Sequence, residues 1–270
     1  LDQLRGRLNL PAGSRTDLDR AIGSIIGNVS RQIDLFCGRH FYVRERTWQW
    51  TYQHPHVAHD GALLIPDVLS LTSLKTDSSS SRVYPIDWAP TDYDLLPAEA
   101  PYSDPPGPYW KIARRPLGRY SFPPLTLGVQ AIGKGGYYEV LERSSATVGM
   151  GGIDDAMPSL PVSDGEVIDT GMTLLLGTEQ LFVSAIDRDM AVATVERAAN
   201  GTTAAAHAED DPIDIYTYPV VSELCLEQSK RRYERTIGRA GRETEPGIRN
   251  YGSLDRDIEQ GLGLFKRRGA

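Results

Sequence analysis

The sequence lacks most of the features that fix a protein's compartment or chemistry. No apolar run approaches 18 residues and no basic-then-apolar leader opens it, so neither membrane insertion nor secretion is expected. Cysteine is limited to Cys37 and Cys225. Each sits in an apolar helical pattern, where a buried thiol is expected, and no disulfide framework is implied. Positive charge is in deficit: 29 Lys and Arg stand against 36 Asp and Glu, for a net charge of −7. That balance argues against a protein whose main task is gripping nucleic acid, because the grip depends on Lys and Arg neutralising phosphates. A surface past which DNA slides is compatible with it.

Motifs for chemistry are also missing. Gly133-Lys134-Gly135-Gly136 and Gly149-Met150-Gly151-Gly152 lack the GxxxxGK[ST] and GxGxxG spacings that bring backbone amides around a phosphate, and read as linkers or loop tips. There is no G-x-S-x-G elbow, and neither cysteine has a nucleophile's surroundings. His54, His56, His59 and Asp60 form the one cluster suggestive of a metal. Zinc needs three or four converging ligands, and a loop broken by Pro55 does not dictate convergence, so solvated or turn-forming histidines are expected. Asp154-Asp155 and Glu209-Asp210-Asp211 lack the D-x-D-x-D-G loop of a calcium site and read as acidic turns. No enzyme, cofactor or metal is expected from these residues.

What is present suits a soluble α+β chain. The 270 residues are 40% hydrophobic, and the 26 glycines and 18 prolines lie mostly between residues 60 and 180, favouring short strands and turns. Leu18, Ile22, Ile25, Val29, Ile33 and Phe36 line one face of a helix from Thr16, with Gly38 placed to end it. A strand with Trp48 and Trp50 on one face follows. Next come strands over 62–65 and 69–76 divided by Pro66-Asp67, an exposed Ser78–Ser81 tip, and short strands at 92–97 and 109–114. Beyond the glycine step, Met172–Leu176, Leu181–Ile186, Met190–Val195 and Ile213–Tyr216 read as an all-β unit. A helix then runs from Pro219, suited to its first turn, to about Ile237. The expected organisation is a core over 1–136, an inserted β domain over 137–218, a closing helix over 219–237 and an extended tail over 238–270.

The tail and the closing helix carry the candidate binding residues. Leu254, Ile258, Leu262 and Phe265 make one apolar stripe beside Leu264, followed at once by Lys266, Arg267 and Arg268. So short a segment cannot bury its own stripe, and residues 243–252 before it are rich in Gly, Pro and charge, so it reads as a docking peptide whose surface belongs to another chain. Lys230, Arg231, Arg232, Arg235 and Arg239 form the one dense basic run. These cations either complement a helix C-terminus or face an acidic partner or passing phosphates; both readings stand.

Taken in order, these pieces resemble the head-to-tail connector, or adaptor, proteins of long-tailed bacteriophages. The resemblance rests on the helix ending in Cys37-Gly38-Arg39-His40-Phe41-Tyr42, the segment Leu63 to Leu74, Asp92-Tyr93-Asp94-Leu95-Leu96-Pro97, Trp110 with Ile112, and the closing helix. Gly171 to Tyr218 is similar to a β module of phage connector proteins through Gly177-Thr178-Glu179-Gln180, Val195-Glu196-Arg197 and Asn200 to Ala208, a stretch that includes His207. In smaller family members the core runs straight from the glycine step to the last helix, without this insert. The resemblance implies a structural virion protein at the head-tail junction, or neck, made in the cytoplasm of the bacterial host. It implies a homo-oligomeric ring, usually of twelve copies, docked under the portal protein. Such a ring continues the DNA channel toward a stopper or tail-completion protein, with the C-terminal segment reaching the portal. Two rivals are a virion decoration or baseplate protein that binds through its β domain, and a metal-dependent hydrolase using His54, His56, His59 and Asp60.

Overall fold

Six strands between residues 44 and 135 form one antiparallel sheet and six between 140 and 217 form a second, with helices packed against them. The computed structural model describes residues 2–10, 16–103, 107–116, 118–137, 140–236 and 253–267. The chain is thus α+β.

Helix α1 (Asp2–Arg7) is followed by α2 (Thr16–Cys37), whose buried positions Ile22, Val29, Ile33 and Cys37 keep the helical spacing seen in the sequence. Gly38 ends α2 at φ +65°, a left-handed conformation that glycine adopts without a Cβ penalty. The first sheet comprises β1 (Arg44–Trp50), β2 (Leu63–Thr76), β3 (Ile86–Asp87), β4 (Tyr93–Leu96), β5 (Tyr109–Arg114) and β6 (Val129–Gly135). Its order is β1-β6-β2-β5-β4, with β3 on the far end of β2. Trp48 and Trp50, two residues apart on β1, stack at 5.6 Å as the period of two requires.

Two sequence expectations are corrected here. Pro66-Asp67 does not divide two strands: β2 continues through it for 14 residues. Residues 65–67 have no ladder partner on β5 or β6, so the missing Pro66 N–H falls where pairing is already interrupted. Nor is Gly133-Lys134-Gly135-Gly136 a linker, because Gly133 and Gly135 lie inside β6, between β1 and β2. A Cβ on Gly133 would stand 2.1 Å from the Ser70 carbonyl oxygen, and one on Gly135 would stand 2.5 Å from the Trp48 ring. Close approach explains this glycine pair.

The second sheet comprises β7 (Val140–Thr147), β8 (Ser159–Pro161), β9 (Thr173–Leu176), β10 (Glu179–Asp187), β11 (Val192–Glu196) and β12 (Pro212–Thr217), ordered β7-β12-β9-β10-β11-β8. Leu174, Leu176, Leu181, Val183, Ala193, Val195 and Ile213 point into one core. β7 escapes the sequence pattern because it is a mostly exposed edge strand with no apolar alternation. Helix α3 (Pro219–Thr236) leaves β12 and lies against α2; Leu4, Ile22 and Leu226 pack together from α1, α2 and α3.

Candidate functional site

The C-terminal segment is folded back on its own chain. After Asp255 comes helix α4 (Arg256–Gly261), then a 3-10 turn over Leu262–Phe265. Leu254 (7% exposed), Ile258 (2%), Leu262 (0%) and Phe265 (5%) join Val29, Ile33 and Cys37 of α2, Val221 of α3, and Phe41 and Tyr137 in one core. The Phe265 ring meets Phe41 at 6.2 Å and Tyr137 at 5.9 Å, both edge to face. A side chain at Gly261 would press on Leu224 at 3.1 Å, so α4 sits directly on α3.

The sequence expectation gave this stripe to another chain; within the single chain the surface that buries it is its own α2 and α3. The fold corrects the extended tail, at least over 253–267, which is helical and docked. The physical reason is that α2 and α3 carry an apolar face of their own, and folding the stripe onto it removes both from water. Leu264 is the exception, 91% exposed beside its buried neighbours.

Past the stripe, the basic residues anchor rather than hang free. The Arg267 backbone N–H donates to the Cys37 carbonyl at 2.8 Å, meeting an otherwise open acceptor at the end of α2. Its guanidinium donates to the Ile65 carbonyl at 2.9 Å, and the Lys266 ammonium lies 5.2 Å from the centre of the Phe36 ring. Arg268, like Arg239, lies outside the described residues.

The basic run on α3 has an acidic partner, and it is the start of this same segment. Arg235 forks onto Asp255 at 2.7 and 2.9 Å. Arg231 reaches Asp255 at 3.3 Å, Asp257 at 2.8 Å and Glu227 at 2.9 Å. Arg232 donates to Gln32 on α2 and to the Ser253 carbonyl, and Gln228 accepts from the Asp255 N–H at 3.1 Å. Lys230 is half-buried and makes no ion pair among the described residues. The hydrogen bonds from Arg235 and then Arg231 outweigh burial and hold the Asp255 carboxyl down at about 2. Asp255 and Asp257 are the residues that sequence reasoning missed. Their signal was acidic charge at the very start of a stripe that follows a basic helix.

Exposed pairs of this kind are weak singly and screened by salt. Changing Arg231 and Arg235 together to Gln is expected to speed amide hydrogen exchange over 253–267 by about 2–5-fold at low salt. Added salt should speed the wild type toward the variant and leave the variant unmoved. Equal exchange in the two proteins at low salt would show that the clamp carries no weight.

The remaining sequence candidates are turn residues or structural. His54, His56 and His59 are exposed; Asp60 accepts from the Ala62 N–H at 3.1 Å and meets Lys111 at 3.3 Å. No group of three or more His, Cys, Asp and Glu is placed to hold a metal among the described residues. Asp154 turns its own loop through the Ala156 and Met157 N–H groups. Glu179 and His207 are buried together: the Glu179 carboxylate accepts from Arg197 twice at 2.8 Å, from the Ala198 and Ala205 N–H groups at 3.0 Å, and lies 2.9 Å from His207 Nε2. Burial by itself would raise this carboxyl, but these donors prevail and hold it at about 2. Arg197 also donates to the Asp154, Met157 and Ala205 carbonyls, so the pair ties the 154–157 and 197–208 loops to β10. With Glu179 fully enclosed, the network acts as a brace.

No family model, curated protein or solved structure matches this chain.

Proposed function

We propose that this chain is the subunit of a phage head-to-tail adaptor, a ring of usually twelve copies under the portal that continues the DNA channel toward a stopper or tail-completion protein. One observation carries the reading: residues 253–267 form a short element seated on α2 and α3 by a four-residue apolar stripe and a charged rim. Residues 237–252 join it to α3 and could span up to ~50 Å. The approach of Arg235 to Asp255 requires far less, so the same element can reach a neighbouring chain without unfolding either sheet. In a closed ring, many such weak seats add through high effective concentration. The ordered sequence resemblance supports the same reading, and the net charge of −7 suits a channel that DNA passes without sticking.

The test is native mass spectrometry of the full chain, alone and mixed with the portal protein encoded beside it. A ring-sized species, or a portal complex of fixed stoichiometry, is the expected result. A monomer indifferent to portal would overturn the assignment.

A further inference from the structure

At the end of α2, the turn that follows it, β1 and the last residue of the docked segment enclose a cleft of about 440 Å³. Four arginines line it: Arg39, Arg44, Arg46 and Arg267. Two buried carboxylates, Asp34 and Asp67, share the cleft with them, Asp34 already paired with Arg31 at 3.0 Å, and burial pushes both acids upward. In a chain that is acidic overall, this is a local excess of cations.

The arginines are held but not saturated. Arg39 has a side chain nine-tenths buried, yet its Nε has no hydrogen-bond acceptor among the described residues; Asp67 lies 3.4 Å away without the geometry to accept. Its guanidinium rests 5.1 Å from the Tyr137 ring centre, that of Arg44 lies 5.4 Å from Tyr42 and donates to the Tyr42 hydroxyl at 3.4 Å, and that of Arg46 lies 5.5 Å from Trp48. Ring contacts fix a guanidinium while leaving most of its five N–H donors for other acceptors. Arg46 is pushed down by burial and, second, by the neighbouring charge of Arg44.

We propose that this cleft binds a phosphate group, with Arg39 as its buried anchor and Arg44, Arg46 and Arg267 as outer donors. Guanidiniums arriving from a turn, a strand and the C-terminal segment suit a tetrahedral anion, which accepts from several directions. A carboxylate is planar and is satisfied by one fork, and Asp67, although ion-paired with the Arg39 Nε at 3.4 Å, makes no hydrogen bond to it. Because Arg267 belongs to the docked segment, binding of the anion and seating of the segment reinforce each other by linkage. The site does not depend on the adaptor function.

Isothermal titration of the full chain with pyrophosphate at constant ionic strength tests this. One saturable site per chain is expected, weakened about tenfold or more in Arg44→Gln and in Arg267→Gln, both checked for unchanged melting. Pyrophosphate should also slow amide exchange over 253–267 in the wild type and not in Arg267→Gln. Competition by a 20-base-pair DNA duplex would identify nucleic acid as the source of the phosphate; saturable binding without competition would identify a small phosphate ester. Absence of saturable binding, equal affinity in both variants, or capture of a glutamate-rich peptide with pyrophosphate ignored would overturn the proposal.

Discussion

Replacing Glu179 by Gln is expected to destabilise the second sheet by about 3–5 kcal/mol, the cost of stripping one partner from a buried, hydrogen-bonded charge pair. Both Glu179 oxygens face donors: two from Arg197, two backbone N–H groups and the His207 ring. An amide offers one acceptor and sets an NH₂ against the rest, while Arg197 keeps its charge. Chemical denaturation near neutral pH measures the loss. The pH dependence gives an independent check. Glu179 ionises at about 2 in the fold against an ordinary 4.5, so its contribution is fully present above about 4.5 and is lost as pH falls through about 2. The gap between wild type and Glu179→Gln should therefore be widest above 4.5 and close toward pH 2. A gap that is small, or constant across this window, would contradict the brace.

The second large effect concerns the docked segment. Leu262 is fully buried between α2 and α3, and Leu262→Ala removes its packing and leaves a cavity, at a cost of about 2–5 kcal/mol. Because the segment is one small element on the helices, the loss is expected as local release. Amide exchange over 253–267 should rise toward that of an open chain while both sheets keep their protection. Leu264→Ala, at a side chain 91% exposed, is the internal control and should change stability by under about 0.5 kcal/mol. The two variants also separate self-docking from partner docking. Leu264 contributes nothing to the seat seen here, so portal binding that falls in Leu264→Ala would mark it as a partner contact. Deleting the whole segment is a less direct test, because it also uncovers Val29, Ile33, Phe41 and Val221.

Elements written in local patterns were legible in the sequence. The α2 stripe with Gly38, the Trp48 and Trp50 face, the strands of the second sheet around Gly177 and the helix beginning at Pro219 all depend on spacing and on turn or cap residues near in sequence. Pro66 and the Gly133–Gly136 run were misread because their meaning is set by neighbours far along the chain. A proline reads as a break until an unpaired stretch of ladder accommodates it, and glycines read as a linker until a second strand needs the space of their side chains.

The candidate site divides the same way. By itself, the sequence determined that residues 254–265 would carry an apolar stripe, that Lys266 and Arg267 would follow it, and that α3 would be basic, because periodicity and charge are properties of the local chain. Only the tertiary structure decided where those features are spent. It set the stripe on α2 and α3 of the same chain, matched Arg231 and Arg235 to Asp255, and brought Arg39, Arg44, Arg46 and Arg267 around one cleft. Contacts between residues more than two hundred positions apart, such as Arg267 with Cys37 and Phe265 with Phe41, form only when the whole chain has closed, and no local pattern encodes which surface a free apolar stripe will find first.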